Sequence, residues 1–186
     1  MADNMRLIIV SGLSGSGKSV ALHVLEDLGY YCIDNLPAAL LGNVVDELRS
    51  GNDQAAELVA LGVDARNRAS DLDSLPQKIA ELHASGVQTE VLFLHASDDV
   101  LIKRYSESRR KHPLAGHGTA LRSAIEAERE LLAELTHSAD LIIDTSRSSV
   151  YELADIIRER VSQRGSEQLS VLIESFGFKN GIPADA

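Results

Sequence analysis

Eight consecutive residues, Gly12-Leu13-Ser14-Gly15-Ser16-Gly17-Lys18-Ser19, carry the densest chemical pattern in the chain. They match G-x-x-x-x-G-K-[ST], the spacing of a loop that cradles phosphate. Glycines let such a loop turn its N–H groups inward around phosphate oxygens, and the following helix adds the positive end of its dipole. In this chemistry the backbone from Gly12 to Ser19 supplies donors, Lys18 bridges the β- and γ-phosphates, and Ser19 ligates Mg²⁺. The bland alternative is a flexible Gly/Ser turn before a helix. Context favours phosphate: the apolar run Leu7–Val10 precedes the loop and a helical pattern, Lys18–Leu28, follows it.

A phosphate loop needs a carboxylate at the end of a neighbouring strand to organise Mg²⁺, and two are available. Asp34 ends the run Tyr30–Ile33 and Asp64 ends Leu58–Val63. The second run is the more apolar and so the more central, which favours Asp64 for the metal side and places Asp34 toward an acceptor or attacking water. The candidate catalytic residues are therefore Lys18, Asp64 and Asp34, and the metal candidates Ser19 and Asp64. Asp34 is equally well explained as a turn residue ahead of Asn35-Leu36-Pro37.

Lys103, Arg104, Arg109, Arg110 and Lys111 concentrate positive charge in an otherwise acidic chain. They run into Arg110–Thr119 (RKHPLAGHGT), where one proline and two glycines break the helical pattern. A lid that brings arginines onto phosphates would use this arrangement, with Arg109 and Arg110 as nucleotide contacts. A solvated helix face with intrahelical ion pairs, or a local RNA-contacting patch, would use it too. His112 and His117 have the chemistry to point at a phosphate, but loop histidines are mostly solvated and they read as such, and none of the histidines has metal-ligand spacing. Asp144-Thr145-Ser146-Arg147 closes a strand at a place where many related folds contact the nucleobase.

These groups have to be held by a scaffold. Runs at Leu7–Val10, Tyr30–Ile33, Leu58–Val63, Val91–Leu94, Leu141–Ile143 and Val171–Ile173 read as strands. Helical patterns cover Lys18–Leu28, Ala38–Ser50, Leu75–Ser85, Val100–Arg109, Ala120–Leu135 and Val150–Arg164. The alternation predicts a three-layer α/β fold of the P-loop, kinase-like kind, with a mostly parallel central sheet and a helical lid. The chain has 186 residues, 28 acidic and 18 basic, a net charge of −10, and 44% apolar residues. That is the composition of one ordinary domain, which excludes intrinsic disorder as the main state. No apolar run is long enough for a membrane span, and a single cysteine, Cys32, cannot form an internal disulfide. Cytoplasmic residence is the expectation, with Cys32 a small core residue. Residues 1–168 read as a nucleotide-binding domain. Residues 169–186, with Phe176 and Phe178 in a Gly/Pro-punctuated tail, read as a linker and the start of a further, truncated domain.

GLSGSGKS, the segment Tyr30–Pro37, Asp64-Ala65-Arg66-Asn67, RYSESRRKHPL and SFGFKNGIP follow one another in an order that resembles the RapZ family of bacterial RNase adapter, P-loop nucleotide-binding proteins. The resemblance runs through essentially the whole chain. It implies binding and slow hydrolysis of ATP and GTP, with Asp64, Ala65, Arg66 and Asn67 in a GTP-binding segment. For full-length members it also implies presentation of a small regulatory RNA to an endoribonuclease in the control of glucosamine-6-phosphate synthesis. Those RNA roles are associated chiefly with the second domain. Ala65 stands where a β-branched residue is expected, and Asn180 where an aromatic is expected. The resulting expectation is a nucleotide-responsive regulatory NTPase using ATP, GTP and Mg²⁺, able to form homo-oligomers. A small-molecule kinase and an RNA-binding adapter module are the competing readings.

Overall fold

A computed structural model describes residues 5–50, 57–108, 110–115 and 119–163. Five strands, β1 (Arg6–Gly12), β2 (Tyr31–Ile33), β3 (Leu58–Gly62), β4 (Gln88–His95) and β5 (Leu141–Asp144), form one sheet in the order β2-β3-β1-β4-β5. Every pairing is parallel, with Ile9 opposite Leu61 on one side and Val91 on the other. The helices are α1 (Lys18–Asp27), α2 (Leu41–Ser50), α3 (Ala69–Asp73), α4 (Leu75–Ala84), α5 (Asp98–Ser108), α6 (Leu121–Leu131), α7 (Ala133–His137) and α8 (Val150–Gln163).

The continuous apolar runs are explained by two cores, one on each face. Side chains alternate across a strand, so Leu7 and Ile9 enter one layer while Ile8 and Val10 enter the other. The first layer adds Leu61 and Phe93 from the sheet and is covered by Leu41 of α2, Leu72 of α3, Leu75 of α4, Ile125 of α6 and Leu135 of α7. The second adds Leu92 and Leu94 and is covered by Ala21 and Leu25 of α1 and Leu153 and Ile157 of α8. Ile9 is fully buried. Truncating it to alanine should cost about 3 kcal/mol through lost transfer energy and a residual cavity.

The expected three-layer parallel fold is the observed one, and the differences are local. The pattern over Ala38–Ser50 opens with a 3₁₀ turn, Ala38–Leu40, before α2 begins. The short α3 has Leu72 as its one buried residue, too little periodicity to stand out. The continuous helix expected over Ala120–Leu135 is broken at Leu132, although apolar burial continues through Leu135. No glycine or proline marks that break. β4 begins earlier than the apolar pattern because Gln88, Thr89 and Glu90 pair beside the polar start of β1, where Arg6 lies 3.5 Å from Glu90. Cys32 is only half-buried, on the edge strand. The expected strand Val171–Ile173 and the segment 169–186 lie outside the described residues.

Candidate nucleotide site

The strand order sends the C-terminal ends of β1, β2 and β3 to one pole, side by side. Parallel open sheets bind ligands at that pole. Where β1 ends and the loop begins, Gly12, Gly15 and Gly17 adopt φ of 147°, 90° and 112°. Gly12 could not be replaced even by alanine, because a Cβ there would run into the Leu94 carbonyl of β4. The loop therefore turns tightly against the sheet.

Its carbonyls are tied back. Arg104 of α5 donates to the Gly15 carbonyl at 2.9 Å and to the Thr145 carbonyl at 2.7 Å. The Thr145 hydroxyl, just beyond β5, donates to the Ser16 carbonyl at 2.7 Å. The Leu13, Ser14 and Ser16 N–H groups are also used within the protein, by the Leu94 carbonyl, Glu128 and the Leu13 carbonyl. Gly17 precedes α1 without any side-chain cap, and no acidic residue occupies the first turn. The first N–H groups of α1 therefore remain for an anion. Ser16 Oγ is buried and has no hydrogen-bond partner among the described residues. These features fit a phosphate chain.

Lys18 reaches across the cleft floor. Its Nζ lies 3.0 Å from Asp64 Oδ2 and 3.5 Å from Asp34 Oδ1. Asp64 is 4% exposed and Asp34 40%, so the first is a floor group and the second a wall group. The Arg66 N–H donates to Asp64 Oδ1 at 3.0 Å, and the Arg66 guanidinium stands 3.5 Å from Oδ2. Asp34 is set by its turn: Asn35 takes φ 54°, a conformation asparagine tolerates, and donates its N–H to Asp34 Oδ1 at 2.7 Å.

The other sequence candidates divide into two groups. Ser19, Arg110 and Lys111 are exposed around the same cleft, which has a volume of about 330 Å³. Leu13, Ser14, Ala65 and Asn67 are committed to the protein itself. Leu13 is buried and donates its N–H to the Leu94 carbonyl. Ser14 donates its N–H and Oγ–H to Glu128 at 2.9 and 2.6 Å. Ala65 is buried. Asn67 accepts from the Ala38 N–H at 2.6 Å and donates to the Leu36 and Asp64 carbonyls, fastening the two strand-end loops together. Arg109 lies outside the described residues, as does His117. Lys103 follows the solvated-helix reading, 4.0 Å from Glu107 one turn away.

Reading His112 as solvated is overturned. It is 3% exposed and meets Glu128, with Nε2 3.0 Å from Oε2. Arg104 and Thr145, expected at a lid and beside a nucleobase, instead brace the loop carbonyls, and Gly62 and Glu128 shape the site without having been singled out. Glu128 did leave a signal. Leu121, Ala124, Ile125 and Leu132 form the inward stripe of α6 and its continuation, and Glu128 interrupts that stripe with a charge.

A family model described as RapZ-like N-terminal domain matches residues 5–165. The chain belongs to the RapZ-like family. A nucleotide-binding protein of Halorhodospira halophila is 54% identical over 184 residues, covering 99% of this chain and 64% of the relative. One from Thioalkalivibrio sulfidiphilus is 52% identical over 182 residues, covering 98% and 64%. This RapZ-like chain thus spans a little under two thirds of the length of these relatives. Among solved structures, shikimate kinase of Acinetobacter baumannii superposes with a TM-score of 0.55 at 17% identity, covering 87% of this chain and 96% of the enzyme. A gluconokinase of Sinorhizobium meliloti gives 0.50 at 19% identity, covering 88% and 97%. The fold is that of the P-loop kinases. No helix among the described residues is long and apolar enough to cross a membrane.

Proposed function

We propose that this RapZ-like domain binds a nucleoside triphosphate with Mg²⁺ in the P-loop cleft, hydrolyses ATP and GTP slowly, and serves as a nucleotide-responsive regulatory module. The observation that carries the reading is Lys18 poised between Asp34 and Asp64 beneath a loop whose carbonyls are tied back. Relatives at about half identity that are named nucleotide-binding proteins support it. On binding, the Lys18 ammonium exchanges carboxylates for phosphate oxygens. Ser19 Oγ and Asp64 are the groups that would hold Mg²⁺, which neutralises charge on the phosphates. Arg110 and Lys111 add positive charge at the rim. Asp34, the more exposed carboxylate, is left facing the attacking water or an acceptor.

A small-molecule kinase is the second reading, favoured by the kinase fold and by Asp34, Arg66, Arg110 and Lys111 lining one cleft. The family's adapter role, with a small RNA and an endoribonuclease as partners, belongs to the longer proteins. Binding and hydrolysis of ATP and GTP with and without Mg²⁺, using Lys18→Ala as control, test the site. Saturable binding lost in the variant is expected, and equal affinity and rate in the two proteins would overturn it. Acceleration of ATP consumption by a sugar, a nucleoside monophosphate or a small acid would replace the regulatory reading with the kinase one.

A further inference from the structure

We propose that Glu128 is a positioning residue that locks the lid turn to the phosphate loop, so that the two keep one relative placement even before a ligand arrives. The inference deepens the nucleotide-site reading and rests on it for its functional meaning. Glu128 is wholly buried on α6 and receives three hydrogen bonds, two from Ser14 and one from His112. Its partners come from segments far apart in the chain. Ser14 is on the shoulder of the P-loop, and His112 lies in the turn between α5 and α6. Each contact is direct, and Tyr105 of α5 makes a second link, hydrogen-bonded to the Ser14 side chain and packed on the His112 ring.

The histidine's protonation follows from its two neighbours. The Leu114 N–H donates to Nδ1 at 3.1 Å, so Nδ1 carries a lone pair and the ring proton sits on Nε2, aimed at Glu128. His112 is thereby a neutral donor on one side and a turn-closing acceptor on the other. The Tyr105 ring packs against it, 5.3 Å between centroids. A buried carboxylate is a poor space-filler beside Ala124 and Ile125, and an apolar side chain would suit the stripe better. What the carboxylate supplies is register. Arg110 and Lys111 immediately precede His112, so fixing that ring fixes where the two cations stand over the cleft.

Two substitutions at His112 separate this role from mere packing. His112→Gln keeps an N–H donor near the Nε2 position and loses the Nδ1 acceptor. His112→Asn keeps an acceptor near Nδ1 and loses the donor to Glu128. The readout is limited trypsin digestion of the full chain, following cleavage after Arg110 and Lys111 by mass spectrometry, without nucleotide and with Mg²⁺-ATP. Cleavage reports the population of the released turn. His112→Asn and Glu128→Ala are expected to speed cleavage at these two positions about tenfold, the loss of one charge-assisted hydrogen bond, while cleavage after Arg49 and Arg160 stays unchanged. His112→Gln is expected to stay near the parent protein.

Equal cleavage in His112→Asn and the parent would overturn the proposal. So would parallel acceleration at all four positions, which denotes general unfolding, or equal acceleration in the Asn and Gln variants. Should Glu128→Ala fail to fold, the histidine pair decides alone. If ATP fails to protect the parent while the variants still differ without nucleotide, the lock stands and the nucleotide reading fails.

Discussion

A Cβ on Gly62 would lie 2.5 Å from Asp34 Oδ1. The last residue of β3 is thus bare where the carboxylate that ends β2 leans across it toward Lys18. Gly62→Ala should push Asp34 outward with little effect on the fold, because Gly62 does not need a left-handed backbone. The expected result is a loss of about 1 kcal/mol in Mg²⁺-nucleotide binding, read by titration calorimetry, with thermal unfolding changed by only a few degrees.

Arg104 should matter more than its place in a basic cluster implies. Its guanidinium joins the P-loop carbonyl of Gly15 to the end of β5, so Arg104→Ala frees both. Removing it is expected to lower stability by about 2 kcal/mol in urea unfolding and to weaken nucleotide binding roughly tenfold. Arg104→Lys should recover only part of this, since an ammonium cannot span both carbonyls in one plane.

Burial, with Glu26 adding to it, pushes the Cys32 thiol up to about 11. At pH 8 only about one thiol in a thousand would be ionised, against roughly a quarter for an ordinary cysteine. Iodoacetamide should therefore label the native protein about two orders of magnitude more slowly than the urea-unfolded chain. Comparable rates would show that Cys32 is more open than its contact with the Leu22 carbonyl indicates.

Ser149 and Glu152 form a reciprocal cap at the start of α8: the Ser149 N–H donates to Glu152 at 2.7 Å and the Glu152 N–H to Ser149 Oγ at 3.2 Å. The bond from the Ser149 backbone, then that from its side chain, holds the Glu152 carboxyl below its ordinary value of 4.5. A pKa lowered by folding stabilises the fold at pH above the unfolded value, and the contribution disappears as pH falls through the folded one. Glu152→Gln should melt slightly below the parent at pH 7 and together with it at pH 3. A gap that persists at low pH would refute the cap.

The P-loop was legible because its chemistry is contiguous: Gly12 through Ser19 need no distant partner to be recognised. The sheet was legible because Leu7, Ile8, Ile9 and Val10 are all apolar, which only a strand covered on both faces requires. The two acidic strand ends could be placed for the same reason, since Asp34 and Asp64 each follow such a run. Ser14 and Glu128 are 114 positions apart, and nothing local in either announces the other. His112 looked solvated because loops usually are, and only the packing of α5 on α6 encloses it. The end of α6 at Leu132 depends on how Leu131, Leu132 and Leu135 settle into the core, a tertiary matter that periodicity does not encode.

Helix α8 touches both poles of the sheet. Near its start, Leu153 packs so closely on Gly17 that a Cβ there would strike it. Near its end, the Val161 carbonyl receives the Arg6 guanidinium at the opposite edge of β1. Fourteen residues of helix make a strut about 21 Å long. The phosphate loop is thus joined through one helix to the start of β1 on the other side of the molecule.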